Sequence, residues 1–442
     1  METFTDRLAR RVRRQRRDGT TGSKRLARRA ISSVMLVLLV GILTGAGGFV
    51  AGYQVLSSQR HEDLEDLENY ETLIEVYDLI REQYVASDNV TDDELIYGAA
   101  KGMVEALGDE DHSVFLTPDE VEEREESRAS GYVGIGIYID IEVIPPRVIE
   151  PVPNSPALEA GILPGDEILA VDGVPYDLLD TTDDFLNLIS GEEGTDVVIE
   201  LRHLGEADSY TVTITRAQIA NVTVSWAMLP DNVMWLRVRA FNEGTGDEVI
   251  AALQEGKAAG AEAVVLDLRD NGGGLIVEEM LVQGQFLEAG TTAFIGQDRD
   301  GNTIDYEIDA EEGEWREGPL VVLINGRTVS AAESTAASLA ANDRAITIGE
   351  TTFGTGTSLA TFDLDDGSNL VLGVELWLTP DGESIWLEGL DPMIEVVNDP
   401  GAMMMYPQMY EVQEITEDLF AASDDAQLTA GHEEVLSQLN EG

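Results

Sequence analysis

Leu158-Glu-Ala-Gly-Ile-Leu-Pro-Gly-Asp-Glu-Ile-Leu-Ala-Val-Asp-Gly173 decides how the middle of this chain folds. Gly161 follows a short helical run and suits a helix C-cap, where a left-handed residue without a Cβ carries no steric penalty. Pro164-Gly165 makes a turn, and Ile168–Val171 is a short apolar strand closed by the Asp172-Gly173 hairpin turn. Upstream, Gly134-Ile-Gly-Ile137 allows backbone N–H groups to converge on an anion. The strand after it offers an edge to which an extended peptide can add. Residues 129–217 share this character, with Gly-rich turns and β-branched runs at 132–141 and 197–201.

The stretch closely resembles the signature of bacterial-type PDZ domains, and Gly134–Ile137 stands where that family keeps its carboxylate-binding loop. The resemblance implies a β-rich PDZ domain over 129–217 that takes protein or peptide C-termini through Gly134, Ile135, Gly136 and Ile137.

Downstream, residues 218–400 alternate strand and helix. The apolar runs 263–268, 320–324 and 345–348 suit buried strands, and 245–257, 276–288 and 331–341 have helical periodicity. Such alternation predicts an α/β layer domain. Within it, Asp267-Leu-Arg-Asp-Asn-Gly-Gly-Gly274 ends a strand in glycines, either as a tight turn needing positive φ or as a source of free N–H groups for an oxyanion. In Val321-Val-Leu-Ile-Asn-Gly-Arg-Thr-Val-Ser-Ala-Ala-Glu333, Ser330 and Glu333 form the S-x-x-E of a capping box before an apolar helix.

These two segments and Gly349-Glu-Thr-Thr-Phe-Gly-Thr-Gly-Thr-Ser-Leu359 resemble the C-terminal processing (tail-specific) serine peptidases. With the PDZ match, the resemblance covers most of residues 61–397. It implies that Ser330 is the nucleophile, its hydroxyl at a helix N-terminus that favours negative charge. It also implies an oxyanion hole from the N–H of Ala331 with that of Gly272 or Gly273. The family clips protein C-terminal ends outside the cytoplasm and needs no metal or cofactor.

One departure bears on activity. The family's base is a lysine in Phe-Gly-Lys-Gly, oriented by a glutamine four residues later; here these positions are Thr355 and Leu359. A serine hydroxyl needs a base to take its proton, and a threonine hydroxyl cannot do so near neutral pH. Lys24, Lys101 and Lys257 all lie outside the matching segments. Of the histidines, His112 falls in a stretch resembling a helix cap of the family's N-terminal region, His203 in a PDZ strand, and His61 and His432 flank the structured part. Two readings follow. One is a catalytically silent homologue that grips C-termini, as an adaptor or regulator of an active relative. The other is a working endopeptidase whose base is an Asp or Glu from elsewhere.

The N-terminal end is different in kind. Residues 1–30 hold eleven Lys/Arg against Glu2, Asp6 and Asp18, a net +8, which leaves −66 for the remainder of a chain at −58. Residues 30–59 carry no charge, long enough to cross a bilayer with the basic head inside. Gly41, Gly45, Gly48 and Gly52 are spaced for helix pairing, so a homo-oligomer is open. The acidic body excludes nucleic acid as a partner. At 43% hydrophobic residues and 14 prolines the chain is globular, and without cysteine it has no disulfide and no thiolate metal site.

The expected architecture is multidomain α+β: a basic cytoplasmic head (1–30), a transmembrane signal anchor (31–59), a helical N-terminal region (60–128), a PDZ domain (129–217), a peptidase-like α/β core (218–400) and an acidic C-terminal tail (401–442). The body from residue 60 is expected outside the cytoplasm, held to the cell membrane by a single pass.

Overall fold

A computed structural model describes residues 70–441, apart from 110–112, 123, 125–131, 142, 179–181, 221, 400–401, 403 and 411–414. The head and the anchor expected at 1–59 lie outside the described residues. Among the described residues no helix is long and apolar enough to cross a membrane.

The chain divides into two units, the first holding the N-terminal helices with 114–118 and 361–371, the second nearly all the rest. In the first unit, helix α1 (Tyr70–Gln83) follows the helical spacing of Leu73, Ile74, Tyr77 and Ile80, and helix α2 (Asp92–Glu105) comes after it. Thr91 and Glu94 cap α2 reciprocally, with Thr91 N–H donating to Glu94 at 2.6 Å and Glu94 N–H to the Thr91 hydroxyl at 3.2 Å. Arg81 closes the connection by donating to the Val90 carbonyl at 2.6 Å.

In the second unit, residues 132–219 build an antiparallel sheet of β1 (Ile137–Asp140), β2 (Arg147–Pro151), β3 (Glu167–Val171), β4 (Asp196–Arg202) and β5 (Tyr210–Thr215), in that order, with helix α3 (Thr182–Ile189). The stretch 158–173 folds as its residues dictate. Gly161 and Gly165 take φ of 80° and 83°, and Asp172 and Gly173 take 50° and 76°, the two positive values a two-residue hairpin turn requires. Asp166, buried between them, accepts from Leu163 N–H at 2.8 Å and from the Tyr210 hydroxyl at 2.6 Å. Ile135, Val148, Ile162, Ile168, Phe185, Ile199 and Leu201 fill the core.

The rest of the second unit includes a sheet in sequence order: β6 (Val224–Leu229), β7 (Val233–Val238), β8 (Ala263–Asp267), β9 (Leu320–Ile324), β10 (Ile346–Gly349) and β11 (Ile394–Glu395), and the antiparallel strands Thr292–Asp298, Thr303–Glu307 and Asn369–Leu378 of a separate sheet. β6 pairs antiparallel with β7, and every later pairing of the β6–β11 sheet is parallel. Every residue of β7, β8 and β9 is buried because both faces are covered. Met234, Leu236, Val264, Leu266, Val322 and Ile324 face helices α4 (Thr245–Ala258), α5 (Ile276–Gln283) and α6 (Ala331–Ala341). The alternate residues Val233, Trp235, Val265, Val321 and Leu323 face helix α7 (Ala426–Glu441).

That second face corrects the expectation of an acidic tail over 401–442. Met405, Ile415, Phe420, Leu428 and Val435 are buried in the cluster that covers it. Gly431 approaches the sheet so closely that a Cβ there would lie 3.0 Å from Leu323. Among the described acids of this segment, Glu417, Asp418, Asp424, Glu433 and Glu441 are exposed and Glu434 is half-buried, which leaves one exception. Asp425 is fully buried and bonds Arg269, itself buried, at 2.8 Å.

Candidate active site

β9 is followed by Asn325-Gly-Arg-Thr-Val, and the next residue, Ser330, is placed at φ 58°, ψ −122° before α6. A positive φ on a non-glycine residue is held only by surrounding contacts, and such strain gathers at functional sites. The contacts here are specific. Thr328 donates from Oγ1 to the Leu268 carbonyl at 2.9 Å, and Val329 N–H donates to the Asn271 carbonyl at 2.9 Å. The capping box is present, with Ser330 N–H donating to Glu333 Oε2 at 2.9 Å; the return contact of the hydroxyl falls short of a hydrogen bond.

The glycine turn after β8 lies against this serine. A Cβ on Gly273 would stand 2.7 Å from the Ser330 Cβ, and one on Gly274 would stand 2.3 Å from the Phe241 carbonyl oxygen, so both positions require glycine. Asn271, fully buried, donates to the Val238 carbonyl at 2.8 Å and accepts the Gly273 N–H at 2.8 Å. Of the two glycines implied as oxyanion donors, Gly273 therefore has its N–H committed. Among the described residues, the N–H groups of Gly272, which is exposed, and of Ala331 donate to no protein acceptor. These two are free to turn toward a developing negative charge beside Ser330.

Thr355 is buried in the loop between β10 and the strand Thr357–Asp363, with positive φ at Gly354 and Gly356 on either side. Glu333 holds the loop. Its Oε1 accepts from the Thr352 hydroxyl at 2.5 Å and Gly354 N–H at 2.6 Å; its Oε2 accepts Thr355 N–H at 2.9 Å besides that of Ser330. One oxygen thus bonds the backbone of both Ser330 and Thr355 and makes them neighbours. A carboxylate offers about four lone-pair sites, and all are taken, so Glu333 has no capacity to receive the serine proton. Leu359 lies on the outward face of its strand, 45% exposed, while Ser358 before it turns inward to Trp377.

The PDZ loop is placed as an edge. Gly134, Ile135, Gly136 and Ile137 are all buried. The Gly136 carbonyl accepts from Val152 N–H and the Ser155 hydroxyl, and the Ile135 carbonyl accepts from Ala157 N–H. Among the described residues β1 pairs only with β2, which leaves its other edge unpaired in the sheet.

Three family models match the chain: the N-terminal domain of the activating protease CtpB at 42–119, a PDZ domain at 147–203, and peptidase family S41 at 232–396. Carboxy-terminal processing protease CtpA of Bacillus subtilis is 30% identical over 369 residues, covering 83% of this chain and 78% of the relative. The chain belongs to the C-terminal processing peptidases of family S41. The carboxyl-terminal-processing protease of Synechocystis is 32% identical over 329 residues, covering 73% of this chain and 75% of its own. Among solved structures, a photosystem II D1 C-terminal processing protease superposes with TM-score 0.54 at 26% identity, over 80% of this chain and 92% of that one. A putative S41 protease from Bacteroides fragilis shares the fold, with TM-score 0.56 at 17% identity over 82% and 96%.

In this S41 homologue His203, His432 and Lys257 are engaged elsewhere. His203 Nδ1 bonds Asp166 at 2.6 Å, and His432 Nε2 lies 3.0 Å from the Pro230 carbonyl oxygen. Lys257 pairs with Glu314 at 2.6 Å, and Lys101 belongs to α2. Lys24, His61 and His112 lie outside the described residues.

A charge network invisible to the sequence reading joins the PDZ sheet to the glycine turn. Glu150 on β2 is buried and meets Arg237 and Arg239 at 3.0 Å each and Gln408 at 2.8 Å. Arg237 lies 3.5 Å from Asp270, two residues before Gly272. Arg327 spans Asp270 at 2.8 Å and Asp140 on β1 at 3.2 Å. Burial opposes ionisation of Asp270, but Arg237 and Arg327 more than offset it and hold the carboxyl well below the usual range. Glu350, in the matched loop, is pushed the other way by burial. Its partners come from distant parts of the chain, which is why motif reading passes over it.

Proposed function

We propose that this S41 homologue is a membrane-anchored binder of protein C-termini whose serine site is assembled but turns over weakly or not at all. The observation that carries the reading is the double use of Glu333 Oε2, which sets residue 355 beside the nucleophile; that residue is a threonine. General-base assistance contributes about 10²–10⁴-fold to such reactions. Its loss leaves a strained serine with two free amide donors and no proton acceptor. The unpaired edge of β1 beside Gly134–Ile137 supports capture of an extended tail, the terminal carboxylate meeting the loop N–H groups. The basic head and the uncharged stretch 30–59 support an N-in anchor that presents the body outside the cytoplasm. An active peptidase relative or a second copy is the partner class this arrangement suits.

The experiment is a binding measurement on the purified full chain in detergent. Apolar peptides with a free C-terminal carboxylate bind in the micromolar range, about −8 kcal/mol, and remain intact, while their C-terminal amides lose most of the affinity. Equal affinity for acid and amide, or rapid cleavage of the bound peptide, contradicts the proposal.

The second reading is a working endopeptidase. Glu350 favours it, as a carboxylate in the matched segment whose ionisation burial opposes. On that reading Glu350→Gln abolishes a measurable cleavage that Ser330→Ala also abolishes.

A further inference from the structure

After the strand Asn369–Leu378 the chain turns, and residues 385–390 come back to lie on the loop that holds Thr355. Leu387 N–H donates to the Gly354 carbonyl at 2.8 Å, and Thr352 N–H donates to the Leu390 carbonyl at 3.1 Å. A Cβ on Gly356 would stand 2.5 Å from Trp386 Cα, and one on Gly389 would stand 2.3 Å from the Thr352 carbonyl oxygen, so the two backbones touch. The same loop is tied to the nucleophile. Phe353 N–H donates to the Thr328 carbonyl at 3.1 Å, and Glu333 Oε2 bonds the backbones of Thr355 and Ser330 alike. On these touching segments three large apolar side chains reach solvent: Phe353 is 48% exposed, Trp386 38% and Leu387 60%. Single exposed apolar residues are ordinary, but three together beside a strained serine form a patch that calls for a physical reason.

Leu387 is anomalous twice over. Its φ is 62°, in the left-handed region where a Cβ is crowded by the backbone, and its side chain wins back little burial. Strain of this kind gathers where a ligand is handled. We propose that Phe353, Trp386 and Leu387 form an apolar shelf beside Ser330 that seats one large apolar residue of a protein tail, with a basic residue next to it. The proposal rests on the reading that the chain holds protein tails, and it adds which residues inside the tail are chosen. Area favours a tail over a second copy of the chain. At the size of such side chains the three expose roughly 300 Å², far less than the roughly 800 Å² that each partner gives to a stable protein interface. One or two side chains of an extended peptide cover such a patch. Charge sets the neighbour: Asp381, Glu383 and Glu388 are exposed on the same turn and favour a Lys or Arg beside the apolar residue.

The test measures binding of synthetic unstructured tails to the full chain in detergent. All tails share one apolar C-terminus with a free carboxylate. One set carries a Leu-Arg pair at successive internal positions, and the control carries Ser-Ser in its place. In the wild type the pair raises affinity about tenfold at the position that reaches the shelf, and the gain shrinks as salt is added. Leu387→Gly erases the gain. Its Tm stays close to the wild-type value, because relief of the crowded backbone and the added freedom of the unfolded chain oppose each other. Leu387→Asn, which also tolerates left-handed backbone, loses the gain as well. Short acid and amide peptides, which end at the Gly134–Ile137 loop, are told apart by these variants as by the wild type. Failure of C-terminal capture and failure of the shelf are thus read separately. No gain at any position in the wild type, or an equal gain in Leu387→Gly, overturns the shelf. A change in the oligomeric state of Leu387→Gly with the tail preference intact overturns it too, since the patch would then be a contact between copies.

Discussion

Ser330 and Thr355 meet through a carboxylate, and this makes Glu333 the residue on which the site's geometry rests. It receives four hydrogen bonds from Ser330, Thr352, Gly354 and Thr355. Glu333→Gln keeps the shape but turns an NH₂ toward donors. Each donor left unsatisfied costs about 1–3 kcal/mol, so the variant is expected to lower the urea midpoint at unchanged slope. A midpoint equal to that of the wild type contradicts the role given to this carboxylate. The S-x-x-E pattern revealed the cap from local spacing alone. It could not reveal that the same side chain also grips residues 352–355, because that depends on β9 and β10 lying side by side in the sheet.

At the scale of elements, the C-terminal segment is the part most exposed to test. Leu428 on α7 is fully buried against the sheet. Leu428→Ala is expected to cost about 2–5 kcal/mol, the usual range for a buried leucine. Asp425→Asn leaves the buried Arg269 with half its partners and is expected to cost about 3–5 kcal/mol. Denaturant titrations measure both, and a loss under about 1 kcal/mol in each would mean the segment is the tail its composition suggested. Acid adds a further check. Burial works against the Asp267 charge, but Arg269 and Arg237 hold its carboxyl below the ordinary 3.8. Its contribution is therefore full above that value and is lost as the pH falls below it. The central strands and the helices 245–257 and 331–341 were legible because continuous apolar runs and a 3.6-residue period are local signals. Helix α7 was legible only as a marginal helix in an acidic tail, since its nine-acid surroundings mask an apolar stripe that only the far face of the sheet makes meaningful.

For the whole molecule, charge is the dominant fact. The body beyond residue 30 carries −66, and several of its arginines are spent indoors: Arg216, Arg237 and Arg269 are buried. Little positive charge is left to balance the surface acids, so self-repulsion opposes the compact state. Raising ionic strength from about 0.1 M to 1 M shortens the screening length from about 10 Å to 3 Å. Tm is expected to rise across that range, and a fall would mean that specific ion pairs outweigh the repulsion. The same unevenness separates the acidic body from the basic head and the uncharged stretch 30–59, from which the anchored topology is argued.

The central claim is that the site is complete except for its proton acceptor. It is tested most directly by the rate at which the full chain, in detergent, cleaves an unstructured apolar C-terminal tail, alongside Thr355→Lys with Leu359→Gln. The account predicts little or no cleavage by the wild type. It predicts a gain of about 10²-fold or more in the double variant, abolished by adding Ser330→Ala. Cleavage by the unmodified protein that depends on Ser330 and equals or exceeds that of the double variant would contradict it, because a base other than residue 355 would then be at work.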